Sequence, residues 1–224
     1  MWSDIFYPEN PKKREKLVRR NQEIKDLMEG NFYATNQLID VMNEHLSCSF
    51  QHIEMNEDAT LQENCNVMIE CMHKIQAVVE KIDTELKEKL DPTLYEKLLS
   101  LSLSPDEFEL ISKALEAVCG LATLASATVI GLLIDKGVIL ANITSTFVKI
   151  GALTVASLVL EVVFMGIDMI VEAILGSVEQ HQLIEALDEY GKALKEFKPA
   201  SEKYQHSISY VQVKIEEINE YFPA

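Results

Sequence analysis

Apolar residues recur at helical spacing along most of the chain. Asn10-Pro11 is typical of a helix start, because proline is favoured at the first helical position, and an apolar stripe then continues to about residue 47. The polar stretch from Gln51 to Asp58 predicts a turn. Thr60 with Glu63 has the spacing of a capping box and predicts a second helix. Asp91-Pro92 and Ser104-Pro105-Asp106-Glu107 predict two further helix starts.

Two stretches carry a strict heptad of mainly apolar residues, with alternating steps of four and three. Such a narrow stripe is typical of a helix packed against another helix, as in a coiled coil. The first seam consists of Leu61, Cys65, Met68, Met72, Ile75, Val79, Ile82 and Leu86. The second consists of Leu183, Leu187, Tyr190, Leu194, Phe197, Ser201, Tyr204, Ile208, Val211, Ile215, Ile218 and Phe222, and it keeps its register across Pro199. Antiparallel packing of the last helix on the first two would give an elongated bundle.

The composition changes between Ala117 and Val178, where only six of 62 residues are charged. Two apolar helical arms are predicted there, one from 117 to 134 and one from about 138 to 178, with Asp135-Lys136-Gly137 as a polar turn ending in a helix-terminating glycine. At about 1.5 Å per residue the first arm would span about 27 Å, close to the thickness of a bilayer's hydrocarbon core. The candidate membrane segment includes Ala117, Leu121, Gly131, Ile134, Val148, Gly151, Leu158, Phe164 and Ile170.

The balance for membrane insertion of the second arm is marginal. Twelve Val, Ile, Leu or Phe residues lie between Val148 and Ile170 and favour insertion by roughly 4 to 7 kcal/mol in all. Glu161 lies near the centre, where a carboxylate costs about 2.5 to 3.5 kcal/mol, and Lys149 and Asp168 lie nearer the ends. Small residues would let the two arms enter as a pair; they are Gly120, Ala127, Gly131, Gly151 and Ala156. The alternative is the buried centre of a soluble helical domain.

Composition and charge narrow the class of protein. The chain has 36 acidic and 20 basic residues and a formal net charge of −16, which argues against sequence-independent nucleic-acid binding. Eight glycines and six prolines among 224 residues are too few for a turn-rich β protein. The four cysteines form no Cys-x-x-Cys pair, and the N-terminus shows no cleavable signal peptide. The bulk of the chain is therefore expected in the cytosol, with reduced cysteines.

The sequence offers little chemistry. His45, Cys48 and His52 would share a face of a continuous helix, but a fourth metal ligand is missing and this stretch ends a helix, so no metal site is predicted. Glu161, Asp168 and Glu172 would lie on one flank of a helix. They could line an ion path, or they could form the polar edge of a partly exposed helix. The sequon Asn142-Ile143-Thr144 is interpreted as a chance match. No phosphate-binding loop or nucleophile elbow is present, so neither an enzyme nor a cofactor is expected.

Several stretches carry a family resemblance. They are Phe6-Tyr7-Pro8-Glu9-Asn10-Pro11-Lys12-Lys13, the run from Thr35-Asn36 to His45-Leu46, Ile53-Glu54-Met55 through Glu63-Asn64-Cys65, Asp91-Pro92-Thr93-Leu94-Tyr95, Gly166-Ile167-Asp168-Met169-Ile170 and Ser201-Glu202-Lys203-Tyr204. Together they make the chain resemble the vertebrate family of single-pass membrane proteins with coiled-coil domains. The resemblance implies one membrane span with flanking coiled coils and no established activity. The layout is also similar to that of helical pore-forming toxins, a likeness of architecture alone.

These observations predict an all-α fold, an elongated antiparallel bundle of long coiled-coil-like helices with an apolar helical hairpin. Its regions would be 1–100, 105–178 and 179–224. The predicted function is that of a non-enzymatic membrane-associated protein whose partners are the lipid bilayer and a coiled-coil protein or a second copy. A switchable pore-forming or membrane-remodelling protein and a soluble helical scaffold are the alternatives. If the hairpin inserts, both termini should lie in the cytosol, because two joined arms return the chain to its starting side.

Overall fold

The computed structural model describes residues 9–158 and 180–221, and within them it confirms an all-α helical bundle. The helices are α1 (Asn10–Leu46), α2 (Leu61–Lys89), α3 (Pro92–Leu99), α4 (Pro105–Cys119), α5 (Leu124–Asp135), α6 (Gly137–Gly151) and α7 (Gln180–Tyr221), with a short 3₁₀ helix at Thr154–Ser157. No strand occurs in the described residues. The residues 159–179 lie outside them.

The helix starts that were predicted from capping residues are confirmed. The Glu63 carboxylate accepts the Thr60 N–H at 2.7 Å while the Glu63 N–H donates to Thr60 Oγ1 at 3.1 Å. Ser104 and Glu107 form the same reciprocal arrangement at the start of α4, and the Asp91 side chain accepts two backbone N–H groups of α3. These caps are confirmed because they depend only on residues within one helical turn.

The two predicted apolar arms are wrong as continuous helices. In the first arm, α4 ends at Cys119 and is capped by Gly120, which has φ +73. Thr123 then caps α5 by accepting the Ser126 N–H at 3.0 Å. In the second arm, α6 ends at Gly151 and the 3₁₀ helix follows; the remainder, from 159, lies outside the described residues. The helix-terminating glycine predicted at Gly137 is also wrong, since that residue begins α6 and Gly120 holds the left-handed conformation instead.

The chain divides into two compact units. The described parts of unit 1 are residues 9–32, 54–70, 143–158 and 180–202, and those of unit 2 are residues 33–53, 71–142 and 203–221. Helices α1, α2, α6 and α7 therefore contribute residues to both units. The predicted division into 1–100, 105–178 and 179–224 is a division along the sequence, and it stays a prediction.

The core of unit 1 forms where α1, α2, α6 and α7 bury their apolar faces. Phe147 and Phe197 are fully buried and meet edge to face, with ring centroids 5.7 Å apart and planes at 71°. Further members of this core are Leu17, Ile24, Met28, Cys65, Met68, Ile150 and Leu183.

In unit 1, α1 and α7 run in the same direction. Tyr190 Oη donates to Asn21 Oδ1 at 2.8 Å, and ten residues further along α1 Asn31 Nδ2 donates to Ser201 Oγ at 2.8 Å. Because the residue numbers rise together on both helices, the pair is parallel, whereas the sequence analysis expected antiparallel packing. The segment after α1, predicted as a turn, is an extended return: Phe50 and Ile53 pair with Asn43 and Asn36 of α1, in reverse order.

Candidate membrane-associated region

Helix α5, the centre of the predicted first arm, is buried inside unit 2. Every residue from Ser126 to Leu133 is buried, and a helix that is apolar and buried around its whole circumference belongs to the interior of a domain. Its first turn is fixed to the end of α1, because Ser126 Oγ donates to the His45 carbonyl at 2.7 Å. The apolar composition of this arm is thus accounted for by packing within the described protein.

Small residues of the arms pack against neighbouring helices. A Cβ added to Gly131 would lie 2.7 Å from the carbonyl oxygen of Leu98, so this glycine allows α5 to approach the end of α3 closely. A Cβ on Gly151 would lie 3.4 Å from Cys65 Cβ, on α2. Gly131 and Gly151 were expected to let one arm approach the other closely. In the structure Gly131 allows close approach to α3, and Gly151 allows close approach to α2.

The other residues of the candidate membrane segment are distributed between surface and interior. Ala117 and Val148 are exposed, Leu121, Ile134, Gly151 and Leu158 are half-buried, and Gly131 is buried. Phe164 and Ile170 lie outside the described residues, as do the predicted intramembrane carboxylates Glu161 and Asp168 and the ion-path candidate Glu172.

Lys149, the third predicted intramembrane polar residue, lies on the surface of unit 1. Its ammonium group pairs with the carboxylate of Glu196 on α7. Both side chains are more than half exposed, so solvent screens the pair and its contribution to stability is small. A second tie follows, since the Thr154 N–H donates to Glu189 Oε1 at 2.7 Å. The end of α6 and the 3₁₀ helix are therefore attached to the first half of α7.

The heptad seams face the interior of the two units, with two half-buried exceptions at Leu187 and Ile218, and Phe222 lies outside the described residues. The buried members of the two seams include Leu61, Met68, Met72, Ile75, Val79, Ile82, Leu86, Leu194, Tyr204, Ile208, Val211 and Ile215. The core of a helical bundle requires the same buried stripe as a coiled coil, so the coiled-coil assignment stays a prediction.

Polar members of the α7 seam have hydrogen-bond partners on α1. Besides Tyr190 with Asn21 and Ser201 with Asn31, the Tyr204 hydroxyl lies 2.8 Å from Thr35 Oγ1 and donates to Met72 Sδ at 3.6 Å. Burial raises the pKa of Tyr190 and of Tyr204 above the ordinary tyrosine value. Because a buried hydroxyl must keep its partner, each pair favours one register of α7 along α1.

The residues His45, Cys48 and His52 do not share a helical face, because α1 ends at Leu46. His52 Nε2 lies 2.6 Å from Asp40 Oδ1 instead. Among the described residues no group of three or more His, Cys, Asp and Glu side chains could hold a metal ion. Burial also raises the pKa of Cys65 to about 12, which keeps that thiol protonated and unreactive near neutral pH.

Sequence reasoning missed the asparagines that hold the return segment after α1. Asn36 donates Nδ2 to the Ile53 carbonyl at 2.8 Å and accepts the Ile53 N–H at 2.9 Å. Asn43 makes the same two bonds with Phe50, at 2.8 and 2.9 Å. In unit 1, Asn64 repeats the arrangement with the backbone of Asn56. The bonded backbone positions, 50, 53 and 56, have the three-residue period of an extended chain.

Unit 1 also buries a charge that the pattern did not reveal. The Lys25 side chain is 0% exposed, and its ammonium group lies 3.3 Å from Glu57 and 3.5 Å from Glu29. The position follows Ile24 in the apolar stripe of α1, and a lysine there is normally assigned to the surface. A buried cation requires a carboxylate nearby. The acidic residue Glu57 is therefore the feature of the sequence that could have indicated the burial of Lys25.

In the described part of the chain no single helix is long and apolar enough to cross a membrane. The helices Pro105–Cys119 and Leu124–Asp135 meet the requirements of length and composition only as a pair, and they are bent by 77° at the break between them.

Comparison with known proteins adds a family match. A family described as DUF4533, protein of unknown function, matches residues 13–165. That range extends from the first turn of α1 to a point beyond Leu158, and it covers more than half of the chain. No solved structure matches the chain.

Proposed function

The chain belongs to the DUF4533 family of proteins of unknown function, and we propose that it is a non-enzymatic, membrane-associated helical protein. Its membrane contact is made by the apolar stretch that begins at residue 159, and the long helices provide its interaction surfaces. The proposal agrees with the resemblance to single-pass membrane proteins in placing a bilayer among the partners. It differs from that resemblance in the topology.

One observation carries the proposal. Helix α6 ends at Gly151, and the Leu158 carbonyl accepts the Leu61 N–H at 3.1 Å, so the residue that precedes the apolar stretch is attached to the start of α2. The next 20 residues, 159–178, contain 13 Val, Leu, Ile, Phe or Met residues and three carboxylates. The apolar residues before this point are used to a large extent in packing, as α5 shows. Membrane contact is therefore assigned to the residues after 158.

The packing of unit 1 supports a return of the chain to the same side of the membrane. Leu158 bonds to α2, and Tyr190 bonds to Asn21 of α1, so residues on both sides of the stretch 159–179 contact helices of one compact unit. A single crossing would place these contacts on opposite sides of a bilayer. A stretch that enters one leaflet and returns keeps them, and it leaves both ends of the chain in the cytosol.

Alkaline carbonate extraction of the full-length protein from cells tests membrane association. We expect the wild type to stay with the membrane pellet and Val163→Lys/Ile167→Lys to be extracted, because each charge placed in the hydrocarbon region costs about 2.5 to 3.5 kcal/mol. Leu110→Lys/Val138→Lys is the matched control, since both residues are exposed apolar side chains of unit 2. Complete extraction of the wild type would refute the proposal in favour of a helical scaffold.

A pore-forming role is the second candidate, and the burial of α5 favours it. An apolar helix enclosed by other helices is what a switchable protein would release on contact with a membrane. Leakage of a trapped dye from liposomes discriminates between the two functions. A peripheral anchor leaves the liposomes sealed, whereas rapid leakage at submicromolar protein would favour the pore.

Exposed apolar residues of α7 support a protein partner. Ile184 in unit 1 and Tyr210 and Val213 in unit 2 are 49%, 40% and 48% exposed. Light scattering of the purified chain tests for a second copy as that partner. We expect a dimer that Tyr210→Glu/Val213→Glu converts to a monomer; a monomeric wild type would assign these residues to a different protein.

A further inference from the structure

The first turns of α1 carry a dense group of cations in a strongly acidic protein. Between Glu9 and Arg20 there are six Lys or Arg residues and two Glu residues, a net charge of +4, whereas the whole chain has −16. The first turn of α1 contains no acidic residue. Cations at a helix N-terminus are opposed by the helix dipole, so the stability of the helix does not explain this group.

Burial separates two kinds of cation in this group. Arg14 is buried, and Arg20 is half-buried and donates to the carbonyl of Leu187 in α7, so both serve the packing of unit 1. Lys12, Lys16 and Arg19 are exposed and lie on one face of α1 at spacings of four and three. We call these three residues the basic face.

The fold brings the basic face level with the start of α7, the helix that follows residues 159–179 in the sequence. The sequence separates Lys12 from Gln180 by 168 positions, so a charge rule based on sequence distance ignores the group. In unit 1, however, α1 and α7 are parallel, and Asn21 is level with Tyr190. At about 1.5 Å per residue, Lys12 lies about 13 Å before Asn21 and is therefore level with about residue 181 of α7.

The six Lys and Arg residues at the start of α1 outnumber the carboxylates Glu9, Glu15 and Glu185, so the region around the basic face keeps a net positive charge. Glu15 pairs with Arg19, and Asp188 on α7 pairs with Lys192. Glu185 is an exposed carboxylate on the facing helix, and Glu9 precedes α1. Lys12 and Lys16 form no ion pair with another described residue. Ile184, which is 49% exposed, is level with Glu15 and adds an apolar side chain beside these cations.

We propose that the basic face of α1, formed by Lys12, Lys16 and Arg19, binds the headgroups of anionic lipids at the membrane surface. The inference rests on the proposed membrane association and names the lipid that it requires. A bilayer is the occupant that fits because an apolar stretch ends level with these cations. Clustered lysines and arginines next to a membrane-contacting segment are attracted to anionic lipid by about fivefold in partitioning for each charge.

The test uses the full chain, synthesised without cells in the presence of preformed vesicles. The vesicles contain phosphatidylcholine alone or with about a third of phosphatidylserine, and flotation measures the bound fraction. The single tryptophan, Trp2, lies ten residues before Lys12. Its quenching by brominated lipids therefore reports whether this end of α1 reaches the bilayer, even when another segment anchors the chain.

We expect the wild type to prefer the anionic vesicles and to show Trp2 quenching there. Lys12→Gln/Lys16→Gln/Arg19→Gln should lose roughly a hundredfold in partitioning into anionic vesicles, together with the quenching, since three charges are removed. Lys81→Gln/Lys89→Gln/Lys203→Gln is the matched control, because it removes three exposed cations of unit 2, and it should behave as the wild type.

Four outcomes would overturn the inference. Equal flotation and equal quenching with both kinds of vesicle would leave membrane association in place and remove the role of the basic face. A triple variant that binds anionic vesicles as the wild type does would also show that the basic face has no role in lipid binding. Displacement of the wild type from anionic vesicles by a short single-stranded RNA, with RNA binding lost in the triple variant, would assign the basic face to nucleic acid. Binding to neither kind of vesicle would refute the proposed function as well.

Discussion

Asn36 and Asn43 show how single side chains shape the path of this chain. The side-chain amide of each asparagine donates to the carbonyl and accepts from the N–H of a single residue, as a neighbouring strand would. Heptad analysis identifies buried apolar positions, but it does not reveal which polar side chain of a helix meets a backbone group elsewhere. The return segment was therefore predicted only as a turn, although the helices on both sides of it were predicted correctly.

Replacing Asn36 by aspartate should destabilise the protein. The carboxylate keeps the bond from the Ile53 N–H, but it loses the donor to the Ile53 carbonyl and places two acceptors in contact. We expect the free energy of unfolding to fall by about 1 to 3 kcal/mol, measured by urea denaturation. Asn66→Asp makes the same chemical change at an exposed position of α2 and should change stability by less than about 0.5 kcal/mol. Equal effects of the two variants would contradict the role of Asn36.

Tyr204→Phe tests the polar pairing in the α7 seam. The change removes a hydroxyl that contacts Thr35 and Met72 while it keeps the aromatic ring. We expect a loss of about 0.5 to 1.5 kcal/mol in the free energy of unfolding. A double-mutant cycle with Thr35→Val should give a coupling energy, and Tyr210→Phe, at a 40% exposed tyrosine, is the control. Additive effects of the two substitutions would show that the hydroxyls do not interact.

At the scale of the helix, a feature could be predicted from the sequence when the residues that determine it are close together along the chain. The capping boxes at Thr60 and Ser104 were predicted correctly because their partners lie three residues away. The break after Cys119 was missed, since an uncharged run suggests continuity and the decisive residues are Gly120 and Thr123. The parallel direction of α1 and α7 also escaped prediction, because apolar periodicity identifies a buried face without giving the direction of its partner.

The two glycines of the α5–α6 region make a matched pair. Gly131→Ala would place a methyl group 2.7 Å from the Leu98 carbonyl oxygen, whereas nothing lies within 4 Å of a Cβ on Gly137. We expect Gly131→Ala to cost about 1 to 3 kcal/mol through overpacking. Gly137→Ala should be neutral or stabilise by up to about 1 kcal/mol through reduced entropy of the unfolded chain. Thermal or urea unfolding measures both, and a stabilised Gly131→Ala would refute the close contact of α3 with α5.

At the scale of the whole molecule, buried acids make stability depend on alkaline pH. Burial raises the pKa of Cys65 to about 12 and raises the pKa of Tyr190 and Tyr204 above the ordinary tyrosine value of 10.0. A raised folded-state pKa means that the stabilisation is complete below the unfolded pKa and is lost as the pH rises above it. The folded protein then holds protons that the unfolded chain has released.

The free energy of unfolding should therefore begin to fall above about pH 9 and fall more steeply above about pH 10. Each tyrosine contributes a slope of about 1.4 kcal/mol per pH unit in that range. Urea midpoints between pH 8 and 11 measure the change. Tyr190→Phe/Tyr204→Phe should remove the steep part, and Tyr210→Phe is the control for loss of a hydroxyl. An unchanged slope in the double variant would assign the alkaline transition to other groups.

The topology of the proposed membrane contact depends on the contacts within unit 1 that precede and follow the stretch 159–179 in the sequence. The Leu158 carbonyl bonds to Leu61 before the stretch 159–179, and Tyr190 bonds to Asn21 after it. If the stretch crossed the bilayer once, unit 1 would be divided and a buried tyrosine hydroxyl, a buried serine and the Phe147–Phe197 pair would lose their partners together. The cost of leaving such groups unpaired, about 1 to 3 kcal/mol each, approaches the whole stability of a domain.

We therefore expect both ends of the chain on the cytosolic side. Epitope tags at the two termini should be cleaved together by protease added to sealed, cytosol-outward microsomes, and an acceptor sequon appended to either terminus should remain unglycosylated. A lumenal marker protein that stays intact shows that the vesicles are sealed. Protection of one tag with cleavage of the other would establish a single crossing, and it would show that α1 and α7 are not in contact in the membrane-bound protein.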